Sequence, residues 1–532
     1  MHEFDAVVVG AGFAGLYMLH RLRGLGLSVR VFEAGEGVGG TWYWNRYPGA
    51  RCDTDSVEYS YQFSEELQQE WHWTERFATQ PEILSYLEHV ADRFSLRSDI
   101  QFGSRVSSVH FDEIEARWLV KTDDGTSVTA IYCVMATGCL SAVNSPQFEG
   151  LGEFRGKWYH TGEWPHEGVN FSGQRVGVVG TGSSAIQSIP LIAEEAAHLT
   201  VFQRQANYSV PAYNAPLDPK EYADIKADYP GHRQRAKSLP TGCWWPVNAA
   251  AAVDLSPDAQ QRELEERWAI GGLRLYGAFS DLLVSRASNE IAAEFVRHKI
   301  RTIVKDPDVA DLLSPKSIVG CKRICLDTNY YATFNRTNVR LVDINNYPIA
   351  EVIPDGIRTT AEVYGLDTIV FAIGFDAMTG PLTRIDIRGV GNIALANKWA
   401  DGPRNYLGIA IAGFPNLFTI AGPGSPSVLT NMVPSIEQHV EWIGDCIGTA
   451  RAMGVERVEA TVEAEDTWVG HNTEVAEATL FPSCNSWYIG ANIPGKPRVF
   501  TPYIGGFPAY VEKCDEVAAN GYEGFTLATA KV

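Results

Sequence analysis

The sequence has little basic charge relative to acidic charge, and it has no long apolar run. It carries 44 Lys and Arg against 64 Asp and Glu, which gives a net charge of −20. Binding to nucleic acid or to an anionic membrane needs a basic face, so neither is an expected partner. The apolar runs are shorter than the roughly 20 residues of a membrane-spanning helix. The acidic start of the chain, with Glu3 and Asp5, also lacks the basic segment of a signal peptide. We therefore expect a cytoplasmic protein.

The nine cysteines are scattered, and no two of them form a CxxC pair. Disulfide scaffolds and zinc sites rely on regularly spaced cysteines, so we expect free thiols in a reducing compartment. The sequence also lacks an HExxH motif and paired histidine ligands, and we predict no metal site. The missing CxxC pair argues against an enzyme that passes electrons to a redox-active cysteine pair.

What the sequence does contain is a pattern of strand, glycine-rich turn, helix and strand that occurs twice. In the first copy, the apolar residues 6–9 precede Gly10-Ala11-Gly12-Phe13-Ala14-Gly15. Leucines at helical spacing follow, and a second strand over residues 28–32 ends at Glu33. This order is typical of a βαβ unit that binds a dinucleotide.

Each conserved position of such a unit has a physical role that the first copy fulfils. Gly10 permits the tight turn, Gly12 lets backbone N–H groups approach a pyrophosphate, and Gly15 lets helix and strand pack closely. Glu33 can accept hydrogen bonds from both ribose hydroxyls and would repel a 2′-phosphate, which suits FAD or NAD. The predicted cofactor residues of the motif are Gly10, Gly12, Phe13, Gly15 and Glu33.

The second copy has the opposite charge at the matching position. An apolar strand at residues 176–179 leads into a glycine motif and a helix, and the strand at residues 199–202 is followed by Gln203 and Arg204. A guanidinium there can pair with a 2′-phosphate, so this unit should prefer NADP. With FAD in the first unit, hydride would pass from NADPH to the flavin. The predicted cofactor residues of this copy are Gly180, Thr181, Gly182, Ser183, Ser184, Ala185, Gln187, Arg204 and Gln205.

These patterns predict an α/β fold with two Rossmann-like dinucleotide-binding domains and a mostly helical insertion. The insertion is indicated by charged helical stretches, such as residues 258–268 and 289–304, with few strand-like segments between them. Apolar strands that run into glycine at residues 134–138 and 370–374 mark the crossings between domains. The expected boundaries are 1–145 and 376–532 for an FAD-binding domain, 146–215 and 330–375 for an NADP-binding domain, and 216–329 for the insertion.

Two longer segments carry a resemblance to a known family. Residues 39–53 match the pattern [AG]GxWxxxx[FY]P[GM]xxxD, and residues 154–165 match FxGxxxHTxxW[PD], at every defined position. These patterns are the two fingerprints of type I Baeyer–Villiger monooxygenases, which the chain resembles. The segments 321–323, 422–426 and 486–496 are similar to the phenylacetone and steroid monooxygenase branch.

The resemblance implies an FAD-containing monooxygenase that uses NADPH and O2. Such an enzyme inserts one oxygen atom next to a ketone carbonyl, through a C4a-peroxyflavin and a tetrahedral (Criegee) adduct, and releases an ester or lactone. Arg323 occupies the family position of the catalytic cation, and Asp53 matches the carboxylate that positions it. Arginine suits this role because it stays charged and supplies no proton at neutral pH.

The resemblance also implies roles for residues outside the glycine motifs. Lys322 matches a second 2′-phosphate contact beside Arg204, Trp487 matches an aromatic that holds the nicotinamide cofactor, and Met432 lies where the family places the flavin. For His160 we expect a structural or hinge role. The remaining cofactor residues assigned in this way are Thr41, Trp42, Arg51, Cys52, Asp53, Tyr59, Val106 and Arg323.

Three alternatives share the plan of two nucleotide units. The nearest is a flavin N- or S-oxygenase, the second is an NADPH oxidase or electron-transfer reductase, and the third is a non-catalytic flavin-binding protein. The two complete fingerprints favour the ketone enzyme. Its expected partners are a small ketone and O2, with no obligate protein partner.

Overall fold

A computed structural model describes residues 2–245 and 247–529. Its strands are β1 His2–Val9, β2 Val29–Phe32, β3 Ile100–Gln101, β4 Val106–Asp112, β5 Arg117–Thr122, β6 Ser127–Met135, β7 Lys157–His160, β8 Arg175–Val179, β9 His198–Gln203, β10 Ser209–Pro211, β11 Cys325–Asp327, β12 Val339–Asp343, β13 Ile349–Ile353, β14 Gly356–Thr359, β15 Val363–Gly365, β16 Thr368–Phe371, β17 Asp386–Arg388, β18 Leu417–Thr419, β19 Val455–Ala460 and β20 Phe525–Thr529.

The α-helices are joined by several short 3-10 turns. They are α1 Phe13–Gly24, α2 Thr41–Trp44, α3 Glu65–Glu70, α4 Gln80–Arg93, α5 Ser183–Glu195, α6 Pro219–Ala227, α7 Tyr229–Lys237, α8 Pro257–Ile270, α9 Arg286–Ile303, α10 Pro307–Leu313, α11 Tyr330–Thr333, α12 Gly380–Thr383, α13 Leu395–Lys398, α14 Met432–Ala452, α15 Val462–Glu477 and α16 Phe507–Ala519.

The first large sheet has the strand order β17-β4-β5-β6-β1-β2-β3, and β18 pairs with β6. Its central strand β1 runs parallel to β2 and β6, and the apolar run of residues 6–9 is buried. Burial on both faces explains why this run is continuously apolar instead of alternating. One face is covered by α1 and α14, whose side chains share a core, for example Leu19 and Ile443.

The second sheet is entirely parallel, with the order β12-β9-β8-β16-β7. Strands β13 to β15 form a separate antiparallel sheet of three strands. Helix α5 packs on the second sheet, and Ile189 and Ile192 of α5 share a core with Phe295 and Ile300 of α9. Helices α8 to α10 therefore pack against the second nucleotide unit, whereas α6 and α7 contact residues 60–73 of the first.

The chain crosses between the two large sheets at two linkers that lie side by side. Val143 and Phe375 form an antiparallel bridge, Asp376 N–H donates to Ala142 O at 2.8 Å, and Asn144 N–H donates to Gly374 O at 3.1 Å. Residues 142–144 and 374–376, which follow the predicted crossings at 134–138 and 370–374, are thus adjacent in space.

The predicted fold class is confirmed: both βαβ units form, and a mostly helical segment follows the second. The strand predicted at residues 28–32 is β2, Val29–Phe32, and the predicted helical stretches 258–268 and 289–304 differ from α8 and α9 by one to three residues at their ends. Across the described part of the chain, no helix combines the length and the apolar character needed to cross a membrane.

Candidate active site

The first glycine of each nucleotide motif lies where only glycine fits. Gly10 has φ +104°, and a Cβ there would lie 2.6 Å from Ala136 O; Gly180 has φ +114°, and its Cβ would lie 2.3 Å from Ala372 O. Ala136 and Ala372 follow β6 and β16, so each turn passes directly over the end of the neighbouring strand. A Cβ at Gly15 would lie 1.8 Å from Gly10 O, which explains why helix and turn can pack so closely.

Helices α1 and α5 begin with free backbone donors. Gly12 and Gly182 are the N-cap residues, and within the described chain neither helix has a side-chain cap or an acidic residue in its first turn. Such a helix end leaves N–H groups and positive partial charge available to a phosphate. The residues present therefore fit one dinucleotide at each helix.

Glu33 directly follows β2, at the position predicted for the ribose. Its side chain is buried, with Oε2 accepting from Ala11 N–H at 2.7 Å and Oε1 from Gly35 N–H at 2.8 Å. Burial raises the pKa of Glu33 above its ordinary value, although both backbone donors oppose this. Each carboxylate oxygen can accept a second hydrogen bond, which keeps the side chain competent to bind a ribose hydroxyl.

Other predicted residues of the first unit lie around α1. Trp42 Nε1–H donates to Tyr59 Oη at 3.2 Å, and the Tyr59 ring meets the Phe13 ring edge-on at 5.2 Å. The structure therefore brings these three together. Val106 is buried at the start of β4, whereas Thr41 is exposed and begins α2. Met432 is half-buried and begins α14.

Asp53 and Arg323 form a two-pronged ion pair between segments that are far apart in sequence. Arg323 Nε donates to Asp53 Oδ2 at 2.5 Å, and Nη2 donates to Oδ1 at 3.0 Å. The third nitrogen, Nη1, donates to Val428 O at 2.9 Å. Burial disfavours the charged guanidinium, but the Asp53 carboxylate outweighs this and raises the pKa of Arg323. Arg323 is therefore a fixed, permanently charged group.

Tyr276 and Asp55 hold the two segments that carry this pair, and sequence reasoning missed both. Tyr276 Oη accepts from Ile324 N–H at 3.0 Å, directly beside Arg323. Asp55 accepts from Arg76 Nε at 2.8 Å and from Arg274 Nη1 at 2.6 Å. Burial opposes ionisation of Asp55, but the two guanidinium groups lower its pKa. No local motif contains these pairs, because Tyr276 and Arg274 lie in the helical insertion.

The first fingerprint also contacts the second nucleotide unit. Tyr47 Oη–H donates to Gln187 Oε1 at 2.8 Å, and Gln187 Nε2–H donates to Arg51 O at 3.1 Å. A Cβ at Gly49 would lie 2.5 Å from Gln187 O. Cys52 follows Arg51 and is buried, and burial raises the pKa of its thiol. The fingerprint thus holds α5 against the Asp53 segment.

A cavity of about 920 Å³ lies at the carboxyl end of β9, where the NADP site was predicted. Arg204, Gln205 and Lys322 line it, and Lys322 Nζ donates to Gln205 Oε1 at 3.4 Å. Burial lowers the pKa of Lys322, and the neighbouring Arg204 lowers it further. Residues 483–485 form another wall, whereas Trp487 packs on Tyr488, with ring centroids 4.2 Å apart.

His160 of the second fingerprint lies against the paired linkers. Its Nδ1 accepts from Gly162 N–H at 3.0 Å, and a Cβ at Gly162 would approach Val143 and Phe375 within 2.7 Å. Burial lowers the pKa of His160 to about 4. These contacts agree with a hinge role. None of them joins the His160 ring to Asp53 or Arg323. Among residues 2–245 and 247–529, no cluster of three His, Cys, Asp or Glu could hold a metal ion.

Known proteins resemble the chain over almost its full length. Residues 7–227 match the family model of pyridine nucleotide-disulphide oxidoreductases. A Baeyer–Villiger monooxygenase of Pseudooceanicola batsensis is 45% identical over 98% of this chain and 95% of its own length. A phenazine N-monooxygenase of Lysobacter antibioticus is 43% identical over 99% and 97%, respectively.

A solved structure shares both sequence and fold with the chain. An oxidised steroid monooxygenase bound to NADP is 52% identical, with a TM-score of 0.95, covering 99% of this chain and all of the other. Both fingerprints, both nucleotide turns and the Asp53–Arg323 pair agree with these similarities. The chain therefore belongs to the Baeyer–Villiger monooxygenases, the FAD- and NADPH-dependent flavoenzymes that its sequence resembles.

Proposed function

We propose that the protein uses NADPH and O2 to insert an oxygen atom beside the carbonyl of a small ketone, giving an ester or lactone. The observation that carries this proposal is the Asp53–Arg323 pair, because a fixed cation is what an anionic oxygen intermediate requires. The kinship with a steroid monooxygenase favours bulky or aromatic ketones. We further propose that the enzyme is cytoplasmic and acts without an obligate protein partner, as its acidic charge and free cysteines suggest.

The two cofactors are assigned to the two helix N-termini. FAD would be held by residues 1–145 and 376–532, with its pyrophosphate at Gly12 and its ribose at Glu33. NADPH would be held by residues 146–215 and 330–375, with its pyrophosphate at Gly182. The support for this order is the charge at the strand ends, since Glu33 repels a 2′-phosphate and Arg204 attracts one.

The chemistry of oxygen activation is supplied by the bound flavin once NADPH has reduced it. Arg323 provides positive charge without a transferable proton, because burial beside Asp53 raises an already high pKa. Asp53 orients the guanidinium through two hydrogen bonds, and Val428 O fixes the third nitrogen. Arg323 can thus stabilise negative charge on oxygen as it develops, at no cost in reorganisation.

A second candidate is oxygenation of an aromatic ring nitrogen. It is favoured by one observation, the 43% identity to a phenazine N-monooxygenase over nearly the whole chain. Both reactions need the same two nucleotide sites, so the fold alone does not discriminate between them.

The test is a substrate panel with the holoenzyme, NADPH and air, analysed by mass spectrometry. Cyclic, aromatic and steroid ketones are compared with phenazine, and NADPH consumption is recorded with and without each compound. Ester or lactone formation from a ketone supports the proposal, and an N-oxide alone would support the second candidate. If none of the compounds changed the rate of NADPH consumption and hydrogen peroxide were the only product, the protein would be an oxidase.

A further inference from the structure

Two thiols lie together at the wall of the proposed NADPH cavity. Cys321 and Cys484 both line this cavity, and each side chain is close enough to shift the pKa of the other. All nine cysteines of the chain are free. Nothing in the proposed oxygenation uses either thiol.

The two cysteines come from turns that are far apart in the sequence. Cys321 closes a turn, with its N–H donating to Ile318 O at 3.3 Å, and directly precedes Lys322. Cys484 closes the turn that starts at Phe481, with its N–H donating to Phe481 O at 3.0 Å. The turns pack together, since a Cβ at Gly320 would lie 4.0 Å from Phe481 Cζ. A covalent bond between the thiols would therefore tie the helical insertion to the C-terminal segment.

The surroundings give the two thiols different reactivity. The Cys484 contact lowers the pKa of Cys321, and the Lys322 ammonium group adds to this while burial opposes it. The same contact raises the pKa of Cys484. Cys321 is thus the better thiolate and nucleophile, and Cys484 is placed to resolve an oxidised Cys321.

We propose that Cys321 and Cys484 form a reversible disulfide under hydrogen peroxide, and that this bond restricts entry of NADPH to its cavity. The second half of the proposal rests on the proposed function, because that function assigns the cavity to NADPH.

The reaction balances with hydrogen peroxide as the oxidant. The Cys321 thiolate attacks one peroxide oxygen, the O–O bond breaks, and hydroxide leaves to become water, giving a sulfenic acid at Cys321. The Cys484 thiol then attacks that sulfur, the S–OH bond breaks, and a second water leaves. The two thiols lose two electrons, which reduce the peroxide, and a dithiol such as dithiothreitol reverses the change.

The first experiment detects the bond itself. Holoenzyme is treated with hydrogen peroxide, alkylated and digested without reductant, and the peptides are identified by mass spectrometry. We expect a linked pair of peptides containing Cys321 and Cys484, absent from Cys484→Ala and present in Cys446→Ala, the control on α14. Oxidation of Cys321 to sulfinic acid without a link, or a link between other cysteines, would overturn the proposal.

The second experiment measures NADPH entry. Anaerobic flavin reduction is followed by rapid mixing at low NADPH concentration, before and after oxidation. We expect oxidised wild type to be reduced at least about tenfold more slowly, with recovery after dithiothreitol, while oxidation should leave the rate of Cys484→Ala equal to that of untreated Cys484→Ala. A linked protein with an unchanged rate would overturn the gating role.

The two experiments separate this proposal from the proposed function. The peptide map needs neither NADPH nor a ketone, so the disulfide is tested even if the enzyme oxygenates nothing. Conversely, Cys484→Ala cannot form the disulfide. If this variant still oxygenates a ketone, the proposed function stands whether or not the disulfide forms in the wild type.

Discussion

At the scale of single residues, the central feature is the Arg323 guanidinium, which donates to Asp53 twice and to Val428 O once. Negative charge on oxygen needs this cation, whereas hydride transfer from NADPH to flavin does not. Removing one preorganised stabiliser of such charge commonly costs about 2.7–4 kcal/mol, or 10²–10³ in rate. We therefore expect Arg323→Ala to form ester at least about 100-fold more slowly.

Two measurements check the two halves of the reaction in Arg323→Ala. Anaerobic absorbance should show flavin reduction by NADPH, while mass spectrometry should find little or no ester in air. Asp53→Ala should change in the same direction because the guanidinium loses its orientation. Unchanged ester formation would remove Arg323 from the mechanism, and an equal loss of reduction would mean that Arg323 mainly holds NADPH.

Arg204 is the residue on which cofactor choice should depend. A charge-assisted hydrogen bond contributes about 1.5–3 kcal/mol, so Arg204→Ala should lower kcat/KM for NADPH roughly 10- to 150-fold. The value for NADH should hardly change, because NADH has no 2′-phosphate. The matched control is Arg340→Ala, which removes an exposed guanidinium of the same sheet that pairs with Glu362. A retained preference for NADPH in Arg204→Ala would refute the assignment.

At the scale of elements, the glycines that begin α1 and α5 have different surroundings. A Cβ at Gly12 would lie 3.3 Å from Gly40 Cα, whereas a Cβ at Gly182 meets nothing within 4 Å. The space at Gly182 is thus open to a pyrophosphate, whereas the backbone of Gly39 and Gly40 packs against Gly12. A side chain at this position of the motif therefore meets backbone atoms in the first unit and open space in the second.

Gly12→Val and Gly182→Val should consequently fail in different ways. The side chain of Gly12→Val would press against the Gly40 backbone beside the turn expected to hold the FAD pyrophosphate, so the purified protein should be nearly colourless. Gly182→Val should stay yellow but be reduced poorly by NADPH. Absorbance near the flavin band measures the first effect, and rapid mixing the second. Gly24→Ala, also on α1 but in open space, is the control and should stay yellow. A fully yellow Gly12→Val would place FAD elsewhere.

At the scale of the whole molecule, the fingerprints lie where the two nucleotide units meet. Tyr47 and Gln187 join the first fingerprint to α5, and Gly162 packs the second against the paired linkers. The fingerprints are therefore connections between domains as much as parts of a reaction site. This explains why each combines bulky aromatic residues with glycines at close contacts.

The buried His160 at this junction should couple stability to pH. Its folded pKa is about 4, below the usual 6.5, so the unfolded chain binds a proton that the folded protein excludes. The free energy of unfolding should then fall as the pH drops from about 6.5 to 4. Below pH 4, His160 is protonated in both states and should cause no further decrease. At about 1.36 kcal/mol for each pKa unit, the difference between about 6.5 and about 4 corresponds to roughly 3–4 kcal/mol.

Urea unfolding of wild type and His160→Asn at pH 7 and at pH 4.5 measures this contribution. The variant should show a smaller loss of stability between the two pH values. His439, which is also buried and has a pKa of about 3, remains in both proteins and contributes equally. Identical losses in both proteins would mean that His160 is not excluded from protonation in the folded state.

The sequence by itself determined the fold class and the two nucleotide turns. Turn, helix and strand depend on residues that are close in the chain, so spacing and residue type suffice to predict them. The Asp53–Arg323 pairing came from resemblance, and the structure adds its two-pronged geometry. Cofactor contacts and domain bounds remain predictions.

Only the tertiary structure decided which distant segments surround these residues. Arg274 beside Asp55, Tyr276 beside Arg323 and Cys484 beside Cys321 have no signal in local spacing. Their positions follow from how the helical insertion and the C-terminal segment pack, which depends on burial summed over many side chains. For that reason the sequence predicted the chemistry of the site. The residues that pack around Asp53 and Arg323, and the pair of thiols, could be identified only from the tertiary structure.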